Sequence, residues 1–146
     1  MKKQITTTVA TLSLFIALAA IGYAGLGTKL IANIPFDFTV NGKTLAAGKY
    51  EVSKGAAPST LQIRNIETGN SAATIARDEN GDGNGKAALK FHRYGNQYFL
   101  TNVTDGNKTL ELPKSNNERK AARGGDNLAN SEIKPEIVTV SATAGQ

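Results

Sequence analysis

From Asn33 onward, apolar residues recur at every second position. Ile34, Phe36, Phe38 and Val40 alternate with Pro35, Asp37 and Thr39. Successive strand side chains point to opposite faces, so this period predicts half-buried β-strands, and a helical period is almost absent. Pro35 cannot donate a ladder hydrogen bond, which predicts an edge position or an irregular strand start. Asn41-Gly42 follows, a pair that tolerates positive φ at both positions, as a two-residue hairpin turn requires. That turn would set Phe38 opposite Leu45 and Val40 opposite Lys43. Many short strands separated by turn residues indicate an all-β fold, a small antiparallel β-sandwich or barrel.

The same alternation continues down the chain. After the Ala47-Gly48 break, Tyr50 and Val52 are expected to face inward, Leu61 and Ile63 to mark a third strand, and residues 73–77 a weaker fourth. The most pronounced hairpin is KFHRYGNQYFL, residues 90–100, in which Gly95 preceding Asn96 suits a type II′ turn. Leu110 and Leu112 suggest another short strand. One short helix is expected near residues 115–123, opened by Ser115-x-x-Glu118 in capping-box spacing and ended by Gly124-Gly125. A polar linker, 124–132, then leads to a last strand around 137–140 that could return to the sheet.

The N-terminus has a different character. Lys2 and Lys3 precede an apolar run over residues 9–23, which is shorter than the ~20 residues that span a bilayer. Gly22-Tyr23-Ala24 has the small-x-small pattern of a cleavage site. The expected organisation is therefore a signal peptide over 1–24, a lead-in over 25–32 and one all-β domain over 33–146. Such a protein works in the periplasm or outside the cell and meets the membrane only in transit. Removing residues 1–24 leaves 122 of 146, enough for one domain with a packed core. The chain has no Cys, so an exported domain of this kind relies on that core rather than on disulfides. The same lack removes cysteine nucleophiles and cysteine metal sites.

The full chain carries 17 basic and 12 acidic residues; losing Lys2 and Lys3 leaves 15 against 12. The densest basic cluster, Lys114, Arg119, Lys120 and Arg123, is interrupted by Glu118 and followed by Asp126, so it reads as a solvated helix. No nucleic-acid partner is expected, because basic residues interleaved with aromatics on one element are lacking.

Candidate chemistry is sparse. Asp78, Asn80 and Asp82 occupy positions 1, 3 and 5 of a calcium-loop pattern, with Gly83 at 6. The twelfth position, where a bidentate carboxylate belongs, is Leu89, and Lys86 adds a positive charge. The segment reads as a solvated turn-rich loop, at most a loose calcium site. His92 is the sole histidine, and no Gly-x-Ser-x-Gly elbow accompanies it. Asp37, Glu51 and Glu111 fall at outward strand positions that nothing pairs across a cleft. No catalytic residue, resident metal or cofactor is therefore assigned. In the 90–100 hairpin, Phe91 would oppose Leu100 and Arg93 would oppose Tyr98, while His92 would oppose Phe99 and Tyr94 would oppose Gln97. The His92/Tyr94/Phe99 face is then either covered by a second layer or the C-terminal segment, or an exposed binding face.

The segments IPFDFTVNGKTLAAGKYEV, LQIRN, FHRYGNQYFL and ELPKSNNER, in that order, resemble a family of small exported proteins of soil bacteria, acidobacteria especially. In such proteins Pro often stands where this chain has Ala46 or Ala47, which softens the turn here. The resemblance implies a signal peptide and a compact β domain, and no activity, ligand or cofactor. The leading reading is an exported, non-catalytic binding or structural module whose partner is an envelope protein or a glycan. The alternatives are a small secreted hydrolase using His92 and an assembly subunit that pairs through an open strand edge.

Overall fold

The computed structural model describes residues 29–80, 85–124 and 132–145. The proposed signal peptide, residues 25–28 of the lead-in and most of the polar linker lie outside the described residues. Eleven strands form one sheet: β1 Leu30–Ile34, β2 Phe38–Val40, β3 Lys43–Leu45, β4 Gly48–Lys54, β5 Thr60–Asn65, β6 Ser71–Ile75, β7 Arg77–Glu79, β8 Ala87–Tyr94, β9 Gln97–Asp105, β10 Thr109–Glu111 and β11 Glu136–Ala144. Among the described residues one helix, α1 Asn116–Ala122, lies between β10 and β11.

The pairing order β9-β8-β11-β1-β4-β5-β6 is antiparallel throughout. A corner follows at Ala76: β6 pairs with β5, whereas β7 pairs with β10, and β10 pairs back onto β9. The circuit of strands thus returns to its start as a nearly closed barrel. The β2–β3 hairpin fills the remaining gap. It meets β9 through Thr39↔Phe99, a parallel pair and the one departure from an antiparallel sheet. On its other side Asn41 Nδ2 donates to Ala73 O at 3.3 Å and Lys43 Nζ donates to Ser71 O at 2.6 Å. Side chains, rather than a backbone ladder, join the hairpin to β6.

The alternating run 34–40 is not one strand. Ile34 ends β1 and Phe38 begins β2, because Pro35 has no N–H with which to continue the ladder. β1 instead extends backward to Leu30, into the stretch read as lead-in, and buries Leu30 and Ala32. It is flanked by β4 and β11, so of the two expectations for Pro35 the edge position fails, and the strand that follows it, β2, starts only at Phe38. The expected pairs Phe38↔Leu45 and Val40↔Lys43 are present, and Asn41 and Gly42 adopt φ of 48° and 81°. Gly95 takes φ of 60°, whereas Asn96 does not have a positive φ, as the II′ geometry demands. β11 is the returning last strand, seated between β8 and β1.

Inward residues of nearly every strand meet in one core. Phe38 contacts Tyr50 and Phe91 edge-on, with ring centroids 5.0 and 5.5 Å apart. Such aromatic pairs add about 0.5–1.5 kcal/mol beyond their burial. The Tyr50 hydroxyl, buried at that centre, donates to Ala46 O at 2.6 Å, so no polar group is stranded there. A bulge in β9 sets the pairing of Phe91 with Leu100 beside that of Lys90 with Asn102, leaving Thr101 as the extra residue. Thr101 satisfies both neighbours: its hydroxyl donates to Lys90 O at 3.1 Å and its carbonyl accepts from Leu112 N at 2.7 Å. This shift of parity lets Leu100 and Val103 both point into the barrel.

Candidate functional site

The outer face of the β8–β9 hairpin carries the residues singled out in the sequence. His92 pairs with Phe99 and Tyr94 with Gln97, as the Gly95-Asn96 turn dictates. The face is covered, and the cover is α1. Ser115 caps the helix from an extended conformation, its Oγ accepting from Glu118 N at 3.2 Å. The helix then buries Ala122 against Tyr94 and Phe99. The C-terminal segment does not cover this face; it lies beside β8 in the sheet, with Ile137 opposite His92.

Glu118 is the residue the sequence did not reveal. Its place three residues after Ser115 suggested a side chain turned back to close a capping box. The carboxylate instead points under the helix, where Oε1 lies 2.8 Å from His92 Nδ1. The Glu118 side chain is 3% exposed and that of His92 is 23% exposed. With the carboxylate ionised, Nδ1–H is the donor. Tyr94 completes the cluster. Its ring stands edge-on to His92 at 6.2 Å, and its hydroxyl is buried without a well-formed hydrogen bond, although Glu118 is in reach. Burial raises the phenol pKa above its usual 10.0, and the charges of Glu118 and Glu132 push it in the same direction. The spacing Glu118–His92 spans 26 residues and two elements, so no local pattern announces it.

A histidine with a carboxylate on one ring nitrogen meets one condition for a hydrolase. It fails the others. Among the described residues the ring bonds only to Glu118, no hydroxyl nucleophile is hydrogen-bonded to it, and His92 does not line the main cleft. Asp37, Glu51 and Glu111 stay apart as well. Asp37 Oδ1 accepts from Ala47 N at 2.9 Å, Glu51 pairs with Lys29 at 3.4 Å, and Glu111 is exposed on β10.

Of the calcium-loop pattern, Asp78 and Asn80 are described, while Asp82 and Gly83 lie outside the described residues. Asp78 sits within β7, opposite Leu110, and its carboxylate pairs with Lys108 Nζ at 2.9 Å. Asn80 is exposed. No group of three His, Asp or Glu side chains with metal-binding geometry occurs among the described residues.

A cleft of about 630 Å³ opens where the tip of the β8–β9 hairpin, the start of β2 and α1 meet. Its walls include the backs of Tyr94 and Phe99, while Asp37, Thr44, Gln97 and Asn117 supply polar groups and Lys120 a charge. The Tyr98 ring beside it is occupied: Phe36 stacks on it at 3.9 Å and the Arg93 guanidinium lies 5.4 Å from its centroid. That ring, part of the cleft wall, is therefore not free for stacking, and apolar surface from Phe38, Phe99, Ala121 and Ile133 lies among the polar groups. In comparisons with known proteins the chain matches no family model, no curated protein and no solved structure.

Proposed function

We propose that this chain is an exported, non-catalytic binding module of the cell envelope or extracellular space, and that its partner, a glycan or an envelope protein, seats in the cleft beside α1. One observation carries this reading: a cleft of about 630 Å³ lined by amide, hydroxyl, carboxylate and ammonium groups from three separate elements. The signal-like N-terminus supports export. The hydrolase alternative has its carboxylate in Glu118, but among the described residues no nucleophile is hydrogen-bonded to His92. Strand-edge assembly is disfavoured on the β6 side, because Asn41 and Lys43 already bond to the carbonyls of Ala73 and Ser71.

The test fills the cleft. Thr44 and Gln97 are exposed lining residues, so Thr44→Arg with Gln97→Arg should obstruct it without disturbing the core. Titration with envelope polysaccharide fragments and soluble envelope proteins, followed by amide chemical shifts, should perturb residues around the cleft, and the double variant should lose the response. Shifts confined to another surface, or ester, peptide or glycoside turnover that vanishes in a folded His92→Gln variant, would refute the proposal. Intact-mass measurement of the exported protein tests the leader: mass corresponding to a start at Gly25 supports it, and retention of Lys2 and Lys3 contradicts it.

A further inference from the structure

The basic cluster around α1 changes meaning once Glu118 is located. In the sequence that acid interrupts the run of positive charge. In the fold it is buried against His92, so its carboxylate does not appear on the surface. Lys114, Arg119, Lys120 and Arg123 are all exposed on or beside a helix of seven residues. Of the four, Lys114 has an ion pair, with Glu132 at 3.6 Å; the other three have none with the described residues. Two shallow grooves run along them. One, of about 420 Å³, is bordered by Lys114, Arg119 and the amides of Asn41, Asn116 and Asn117. The other, of about 150 Å³, lies between Lys114, Arg119 and Arg123, with the Glu132 carboxylate on its wall paired to Lys114. Both adjoin the face that holds Lys120 at the main cleft.

Basic residues late in a helix are favourable against its dipole, which accounts for Arg119, Lys120 and Arg123. Lys114 precedes the N-cap, where positive charge is disfavoured, and its pairing with Glu132 offsets that cost. We infer that this cationic shelf binds an acidic polysaccharide, a hydroxyl-rich chain bearing repeated carboxylates, which would lie along the grooves with its anionic groups on the lysines and arginines. The inference deepens the binding-module reading and rests on it. Repeated charge on one short surface suits a repeated anion, because each exposed contact alone contributes little. The asparagine amides beside the shelf suit hydroxyl and ring oxygens. Nucleic acid fits less well: Tyr94 and Phe99 are buried and Tyr98 is covered on its faces by Phe36 and Arg93, so bases find no free ring to stack on. An anionic membrane also fits less well, since Ile133 is the one large exposed apolar side chain of the cleft and shelf.

The experiment compares two triple variants that lose equal charge: Lys114→Gln/Arg119→Gln/Arg123→Gln on the shelf grooves, leaving the cleft residue Lys120 intact, and Lys49→Gln/Lys54→Gln/Arg64→Gln elsewhere on the surface. The probes are polygalacturonate, neutral dextran, duplex DNA and vesicles containing phosphatidylglycerol, with circular dichroism to confirm folding. Polygalacturonate should bind the parent chain, about tenfold or more weakly the shelf variant, and nearly unchanged the control. Equal weakening in both variants would reduce the effect to net charge and overturn the inference. Preferred binding to DNA or vesicles would overturn it too, as would no binding to polygalacturonate. Dextran binding in the cleft, unaffected by the shelf variant, would refute the acidic ligand and leave the binding module standing. His92-dependent turnover without ligand capture would remove both.

Discussion

The two faces of the β8–β9 hairpin solve burial in different ways. Toward the barrel, Leu89, Phe91, Leu100 and Val103 join an almost wholly apolar core in which the Tyr50 hydroxyl is satisfied. Toward α1, the layer is thin and polar: Tyr94, Phe99 and Ala122 make a small apolar cluster beside a buried carboxylate and an imidazole. The first arrangement gains stability from area removed from water. The second brings a charge into low dielectric, where the pairing offsets a desolvation penalty and adds little net stability. What the thin layer does achieve is position. It fixes α1, and α1 carries one wall of the cleft, with the shelf residues Arg119 and Lys120 on it and Lys114 and Arg123 at its two ends. Stability is concentrated in the barrel, and the chemistry that could meet a ligand is concentrated in the layer laid over it.

Phe91→Ala should cause the largest loss, about 3–5 kcal/mol in urea unfolding, from lost burial and a residual cavity. Its ring touches Phe36 and Phe38, at 5.1 and 5.5 Å, so several neighbours lose contacts together. A cost below that of His92→Leu would break the comparison, since the outer layer would then hold the fold.

The barrel side of this contrast was legible in the sequence and the outer side was not. Alternation placed Phe38, Tyr50, Val52, Leu61 and Ile63 inward, and two turn pairs set the hairpin registers that the structure shows. Those signals are local, carried by neighbours two residues apart. Pro35 was visible, but that it ends a strand begun at Leu30 depends on pairing with β4 and β11, distant partners. The Thr101 bulge, the corner at Ala76 and the Glu118–His92 pair are likewise tertiary facts. Glu118 was also masked by a competing local role, since a glutamate at that capping position ordinarily needs no other explanation.

His92→Leu comes next, with an expected loss of about 1–3 kcal/mol, because it leaves the buried Glu118 carboxylate without its partner. Adding Glu118→Met should recover most of that loss, as replacing both members of a buried polar pair by apolar groups is often neutral. The double-variant cycle sharpens the comparison. Recovery of stability would mean that the pair orients α1 without holding the fold. Failure to recover would make the outer layer a second stabilising centre.

Tyr94→Phe should have the smallest effect at neutral pH, and a distinctive one in alkali. The native hydroxyl is buried without a well-formed bond, so deleting it should leave stability unchanged or raise it by up to about 1 kcal/mol. The phenol pKa is raised in the fold, first by burial and then by Glu118 and Glu132. Its proton is therefore held more tightly folded than unfolded. The associated stability is fully present below pH 10.0, the ordinary phenol value, and is lost as pH climbs from there through the raised folded value. Tyr94→Phe lacks this contribution, so the two proteins should differ little at pH 8 while the variant gains relative stability above pH 10. Urea midpoints measured at both pH values decide it. A Tyr94→Phe variant clearly weaker at pH 8 would show that the hydroxyl bonds Glu118 after all, and that the outer layer is as well satisfied as the barrel core.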